Sequence, residues 1–291
     1  MGDGIGGFVD AASRERFLAA YDRVMSAWPV ERSELDVETG FGRTRVHRSG
    51  QETGTPVVLL HGQGATSGMW VDSVGSLAAR RPVFAVDTLG EAGRSTQTAP
   101  IRRPEDTAAW LDEVLTGLEV DRAHLVGASY GGWIALNQAL RQSERVVSLS
   151  VLDPARAVAG LNAGFVFGGV WMSLAGSDAA RRRFLAGLTG EREDGPQMDL
   201  TVASLYGYRI RLLPPRYLGD DELRAITAPT LALFGAESKV HDPARGVARA
   251  RALMPSVEAD LVPGARHFIP ADVIGTRVVS FLDEVEARSA A

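Results

Sequence analysis

The stretch His124-Leu125-Val126-Gly127-Ala128-Ser129-Tyr130-Gly131-Gly132 decides how this chain is read. It runs from a short apolar strand, through a serine bracketed by glycines, into a helical stretch over 131–142. A G-x-S-x-G pattern is common by chance. Set between a strand and a helix, it marks a strained turn that lifts a serine out of a sheet. Cβ atoms two positions either side of that serine would collide with the neighbouring strand and helix, which accounts for the glycines. The turn leaves Ser129 Oγ at a helix N-terminus, where developing negative charge is favoured. Ser129 is the candidate nucleophile.

The same alternation continues outward. Short, continuous apolar runs at 57–60, 83–86, 146–152 and 230–234 have the length and character of strands buried on both faces of a parallel sheet. Helical stretches lie between or after them at 70–80, 104–118, 131–142, 243–254 and 271–288. Strand–helix alternation of this kind implies βαβ units and a doubly wound α/β fold. Upstream, Phe17, Leu18, Tyr21, Val24, Met25 and Trp28 repeat at helical spacing over 12–28, and Pro29 ends that helix. Alternating stretches at 35–39 and 43–47, separated by Gly40 and Gly42, predict a hairpin. The glycine-rich residues 1–10 are expected to fray.

One interval breaks the alternation, since no strand is evident from Pro154 to about Asp221. Residues 157–177 carry no charge, Gly160, Gly164 and Gly168 sit at helix-packing spacing, and Arg181-Arg182-Arg183 follow. A lid over an apolar pocket fits better than a membrane span, which would interrupt an otherwise soluble sheet. Phe165, Phe167 and Trp171 are the candidate pocket residues in it.

Composition removes several classes. The 291 residues include no Cys, so thiol catalysis, disulfide frameworks and Cys-ligated metals are excluded. Lys plus Arg is 31 and Asp plus Glu is 36, a net charge of −5 with no basic tract, which argues against nucleic acid as partner. The first thirty residues lack the pattern of a secretory signal, and Gly6 stands where a myristoylation signal wants Ser or Thr. A cytoplasmic location is the resulting expectation. No metal site is expected, and a homodimer is left open.

A serine hydroxyl needs a base, and histidine has the suitable proton affinity. Of five histidines, His47 and His124 fall within strands, His61 in a loop, and His241 before Asp242-Pro243. His267 lies beyond the last strand and before the last helix, where a side chain reaches back over the sheet edge, and is the candidate base. His61-Gly62-Gln63-Gly64 follows the run 57–60. An N–H from that loop and the N–H after the nucleophile form an oxyanion hole, which nominates the amides of Gln63 and Tyr130. His61 reads as a support for the loop. Asp87 reads as structural too, its carboxylate binding backbone N–H groups of the loop over 90–95.

With these pieces assembled, the chain resembles an α/β-hydrolase fold protein from about Phe17 to Leu282. More narrowly, it is similar to bacterial single-domain carboxylesterases. The residues that carry the likeness are Trp28-Pro29-Val30, Leu59-Leu60-His61-Gly62, and the segment from Ala85-Val86-Asp87 through Gly90-Glu91 to Ser95. The resemblance implies a mostly parallel eight-stranded sheet with helices on both faces and a helical cap inserted after the sixth strand. It divides the chain into a core of 1–153 plus 222–291, with 1–34 as an N-terminal helical extension, and a cap or lid of 154–221. It also implies a Ser–His–acid triad and no cofactor; the glycine-rich cap with little charge near it suggests an ester or thioester of a hydrophobic small molecule as substrate. Acyl transfer, cyclisation or C–C bond cleavage on the same fold, and a non-catalytic ligand-binding relative, stand as alternatives.

One departure matters. The relatives carry their acid on the loop after the seventh strand, which here reads Gly235-Ala236-Glu237-Ser238-Lys239-Val240-His241-Asp242-Pro243, with Ser238 at the acid's position. Either the acid has moved to Asp153, at the end of the sixth strand, where similar esterases tend to have Ser, or Glu237 turns inward or Asp242 reaches across. A site without a working acid is the third outcome. Ahead of Pro154, Asp153 also suits a plain turn cap.

Overall fold

The computed structural model describes residues 4–290. Its main sheet follows one path of eight strands: β1 Arg32–Thr39, β2 Gly42–Gly50, β3 Val57–Leu60, β4 Pro82–Val86, β5 Ala123–Ala128, β6 Val146–Leu152, β7 Thr230–Gly235 and β8 Val257–Val262. Their spatial order is β1-β2-β4-β3-β5-β6-β7-β8. The hairpin β1–β2 and the β2–β4 pair are antiparallel, and every pairing from β4 through β8 is parallel. A two-residue strand, Thr96–Gln97, adds to the start of β2. The α-helices of five residues or more are α1 Ala11–Met25, α2 Val74–Ala78, α3 Pro104–Gly117, α4 Tyr130–Arg141, α5 Ala163–Ala175, α6 Asp178–Thr189, α7 Pro196–Gly207, α8 Asp220–Ala225, α9 Pro243–Leu253 and α10 Val279–Ala290.

The apolar runs are long because both faces of the sheet are covered. Along β3, Val58 and Leu60 enter a core with Trp110 and Leu111 of α3 and Trp133 of α4. Val57 and Leu59 enter the opposite core with Phe17 and Tyr21 of α1, Leu77 of α2 and Leu282 of α10. All four β3 residues are fully buried, so no alternation of polarity is available to the strand. Asp10 caps α1 by accepting from the Ser13 amide at 2.7 Å.

Three expectations are corrected. Residues 4–10 do not fray, because Gly7–Phe8 pairs with Tyr208–Arg209 and Phe8 packs edge-on to Tyr208 at 4.9 Å. Residues 1–3, including the Gly2 weighed for myristoylation, lie outside the described residues. The interval 154–221 therefore does contain a strand, two residues long. The expected helix over 70–80 is split into a 3-10 turn, Ser67–Trp70, and the five-residue α2. The uncharged run 157–177 forms the thirteen-residue α5 and its approach, and no helix among the described residues is long and apolar enough to cross a membrane.

Candidate active site

Gln63, Ser129, Asp153 and His267 each follow the carboxyl end of a strand of the parallel sheet, where open α/β sheets gather their ligand-binding groups. Ser129 joins β5 to α4 with φ +50° and ψ −112°, a conformation that costs an L-residue roughly 1–3 kcal/mol unless its surroundings enforce it. They do. The Ser129 amide donates to Leu152 O at 2.9 Å, and Ser129 O accepts from Trp133 and Ala155. The crossing is so close that a Cβ on Gly131 would lie 2.0 Å from Leu60 O.

His267 follows β8. Its Nε2 is 2.8 Å from Ser129 Oγ and its Nδ1 is 2.5 Å from Asp153 Oδ2. Asp153 follows β6 and is fully buried, with φ +47°. Its Oδ1 accepts from the Gly235 amide and His241 Nε2, each at 3.0 Å, and its Oδ2 also accepts from Ser238 Oγ at 2.7 Å. Burial alone would raise this carboxyl, but the hydrogen bonds from His241 and His267 and their positive charge when protonated outweigh it and hold it well below the usual carboxylate range. An ionised Asp153 keeps the His267 proton on Nδ1, which leaves Nε2 to accept from the Ser129 hydroxyl.

The loop after β3 packs against the serine, since a Cβ on Gly62 would sit 3.2 Å from Ser129 Cβ. His61 supports that loop, as its position suggests: Nδ1 donates to Gly62 O at 2.9 Å and Nε2 accepts from the Thr88 amide at 3.0 Å. Gln63 is at the exposed crest, and Tyr130 opens α4 directly after Ser129. Gly64 donates its amide to Glu91 Oε1 at 2.7 Å. Burial, with the Asp87 charge adding to it and that amide opposing it, pushes the Glu91 carboxyl up to about 8. Asp87 binds the Arg94 and Ser67 amides, the Ser67 hydroxyl and Tyr21 Oη, which is the structural role its sequence context suggests.

The other acids weighed for the site lie elsewhere. Glu237 is exposed. Asp242 caps α9 by accepting from the Arg245 amide at 3.0 Å. Of the pocket candidates, Phe167 is 74% and Trp171 65% exposed. A cavity of about 750 Å³ lined by Glu237, Arg266 and Phe268, among others, is bordered by none of Ser129, Asp153, His267, Phe165, Phe167 and Trp171. Ser238 and His241 as partners of Asp153, and Glu91 beneath the loop after β3, are not legible in the sequence. The signal for the first two was their place in the loop where the acid was expected.

Residues 57–273 match the profile of the alpha/beta hydrolase family. Carboxylesterase YbfK of Bacillus subtilis (strain 168) is 30% identical over 289 residues, covering 94% of this chain and 96% of that protein. The crystal structure of carboxylesterase CesB (YbfK) from Bacillus subtilis superimposes with a TM-score of 0.86 at 27% identity, over 94% of this chain and 99% of that one. The naproxen esterase (carboxylesterase NP) structure from Bacillus subtilis gives 0.85 at 25% identity, over 97% and 99%. With a profile match across most of its length and a relative aligned almost end to end, this chain belongs to the alpha/beta hydrolase family.

Proposed function

We propose that the protein is a carboxylesterase that works through an acyl-enzyme on Ser129. The observation that carries this reading is the hydrogen-bonded series Ser129 Oγ, His267 Nε2, His267 Nδ1, Asp153 Oδ2 at 2.8 and 2.5 Å. Ser129 Oγ attacks the ester carbonyl carbon while His267 Nε2 takes the hydroxyl proton. Asp153 holds the ring and stabilises the imidazolium. The amides of Gln63 and Tyr130 receive the oxyanion, a contribution of roughly 3–4 kcal/mol per donor in comparable sites. Collapse breaks the bond to the leaving alcohol, which departs with the proton from His267. Water, deprotonated by the same nitrogen, then attacks the acyl-enzyme and frees Ser129.

Residues 154–221 act as the cap of this site. Two contacts support that role. Leu188 O at the end of α6 accepts from the His267 amide at 3.1 Å. Leu205 of α7 lies so close over Gly64 that a Cβ there would fall 2.4 Å from Leu205 Cδ2. Closing the cap excludes bulk water from the oxyanion loop.

A fluorophosphonate probe tests the reading. It is expected to label the wild-type protein and not Ser129→Ala, in parallel with hydrolysis of p-nitrophenyl butyrate. Wild-type protein that neither labels nor hydrolyses the ester would overturn it.

A further inference from the structure

The loop from Gly235 to His241 is wrapped around the buried carboxylate of Asp153. Asp153 receives four donors, and three of them come from this loop: the Gly235 amide, Ser238 Oγ and His241 Nε2. The fourth is His267 Nδ1. His241 is fully buried, with its ring edge-on to Phe234 at 5.7 Å. Its Nδ1 is buried with no hydrogen-bond partner. Donation to a carboxylate demands the proton on Nε2. A tautomer with its proton on Nδ1 would set two acceptors facing each other across 3.0 Å. The backbone of His241 is itself held, by a bridge to Leu161 and by the Asn162 amide donating to Val240 O at 2.8 Å.

We infer that His241 is a positioning residue of the esterase reaction: its Nε2–H fixes Oδ1 of Asp153, so that Oδ2 is presented to His267 Nδ1. The inference rests on the Ser129–His267–Asp153 reading above. The loop after β7 thus holds the acid in place of supplying it. Ser238 does the same at Oδ2. His241 joins the Gly235 amide at Oδ1 and Ser238 joins His267 at Oδ2, so both carboxylate oxygens are tied while the backbone φ of +47° aims the side chain. The ring reaches no substrate from its buried position, so its effect passes through Asp153 alone.

His241→Phe keeps a buried ring and deletes the donor; His241→Gln keeps an amide N–H near the position of Nε2. With p-nitrophenyl butyrate, H241F is expected to lower kcat roughly 10–100-fold with KM within about 2-fold, the loss of one hydrogen bond to a charged group. H241Q is expected to recover to within about 3-fold of wild type. The downfield N–H proton resonance of His267 should shift in H241F and return in H241Q, which a merely structural role would not produce. Ser238→Ala disturbs packing least and is expected to lower kcat roughly 3–10-fold, so it carries the test should H241F fail to fold. Full activity in H241F or in S238A, or equal losses in H241F and H241Q with an unmoved resonance, would overturn the inference while wild type still labels with fluorophosphonate. Wild type that does not label would bring down the triad reading first.

Discussion

Glu91 is a carboxyl with no exposure, one hydrogen bond and one orphaned oxygen. Oε1 accepts from the Gly64 amide, whereas Oε2 is buried with no partner and lies 3.8 Å from His61 Nδ1. Asp87 on the same loop adds a repelling charge, and Tyr130 and Tyr208 face the group as well. Its carboxyl therefore sits at about 8 in place of 4.5, and the folded protein holds a proton there that the unfolded chain releases. A raised acid contributes its full stability below the unfolded value and loses it as pH climbs towards the folded one. Between pH 5 and pH 9 that loss is about 4 kcal/mol from linkage. Glu91→Gln keeps the shape and the acceptor for Gly64 while removing the ionisation. Urea unfolding of both proteins at pH 5, 7 and 9 is expected to show near-equal stability at pH 5 and an advantage for the variant that grows with pH to about 4 kcal/mol at pH 9. Esterase activity of the variant should also persist to higher pH, since no charge develops under the loop after β3. A stability difference between the two proteins that stays constant across this range would refute the reasoning, because it would mean that Glu91 is already ionised in the folded state.

The acid assignment makes a sharp pair. Asp153→Asn is expected to cut kcat by about 10²–10⁴, as loss of the group that orients the imidazole does in such triads, while Glu237→Gln, on an exposed side chain, leaves it within about 2-fold; steady-state kinetics on one ester decides between them. Gly131→Ala places a Cβ 2.0 Å from Leu60 O, so the nucleophile turn and β3 must part. It is expected to cost roughly 3 kcal/mol or more in urea unfolding, beyond ordinary overpacking, because the obstacle is backbone.

How much of this was legible in the sequence depends on the range over which each feature is determined. The strands were plain because a run such as 57–60 is buried on both faces, and local composition alone reports that. The serine turn was plain because its constraint acts within five residues. The sequence favours Asp153 as the acid only through the exchange of Ser and Asp between the two loops, with Glu237 as the alternative, since both follow strands that end at the same sheet edge. What separates them is direction: Asp153 is turned inward by a left-handed backbone that only the Asp153 amide's bond to Leu233 O and the packing around it enforce. Glu91 was hidden for the opposite reason. A glutamate in a glycine-rich loop reads as solvated, and almost never is such a group fully buried. His241 and Ser238 are the deepest case. Their partner lies 88 and 85 residues away in the chain, and neither residue type signals a role until that carboxylate is known to stand beside them. The exchange of Ser and Asp between the two loops is the trace they leave: once the acid sits after β6, the loop after β7 still faces it, and donors are the chemistry that an acceptor in that place requires.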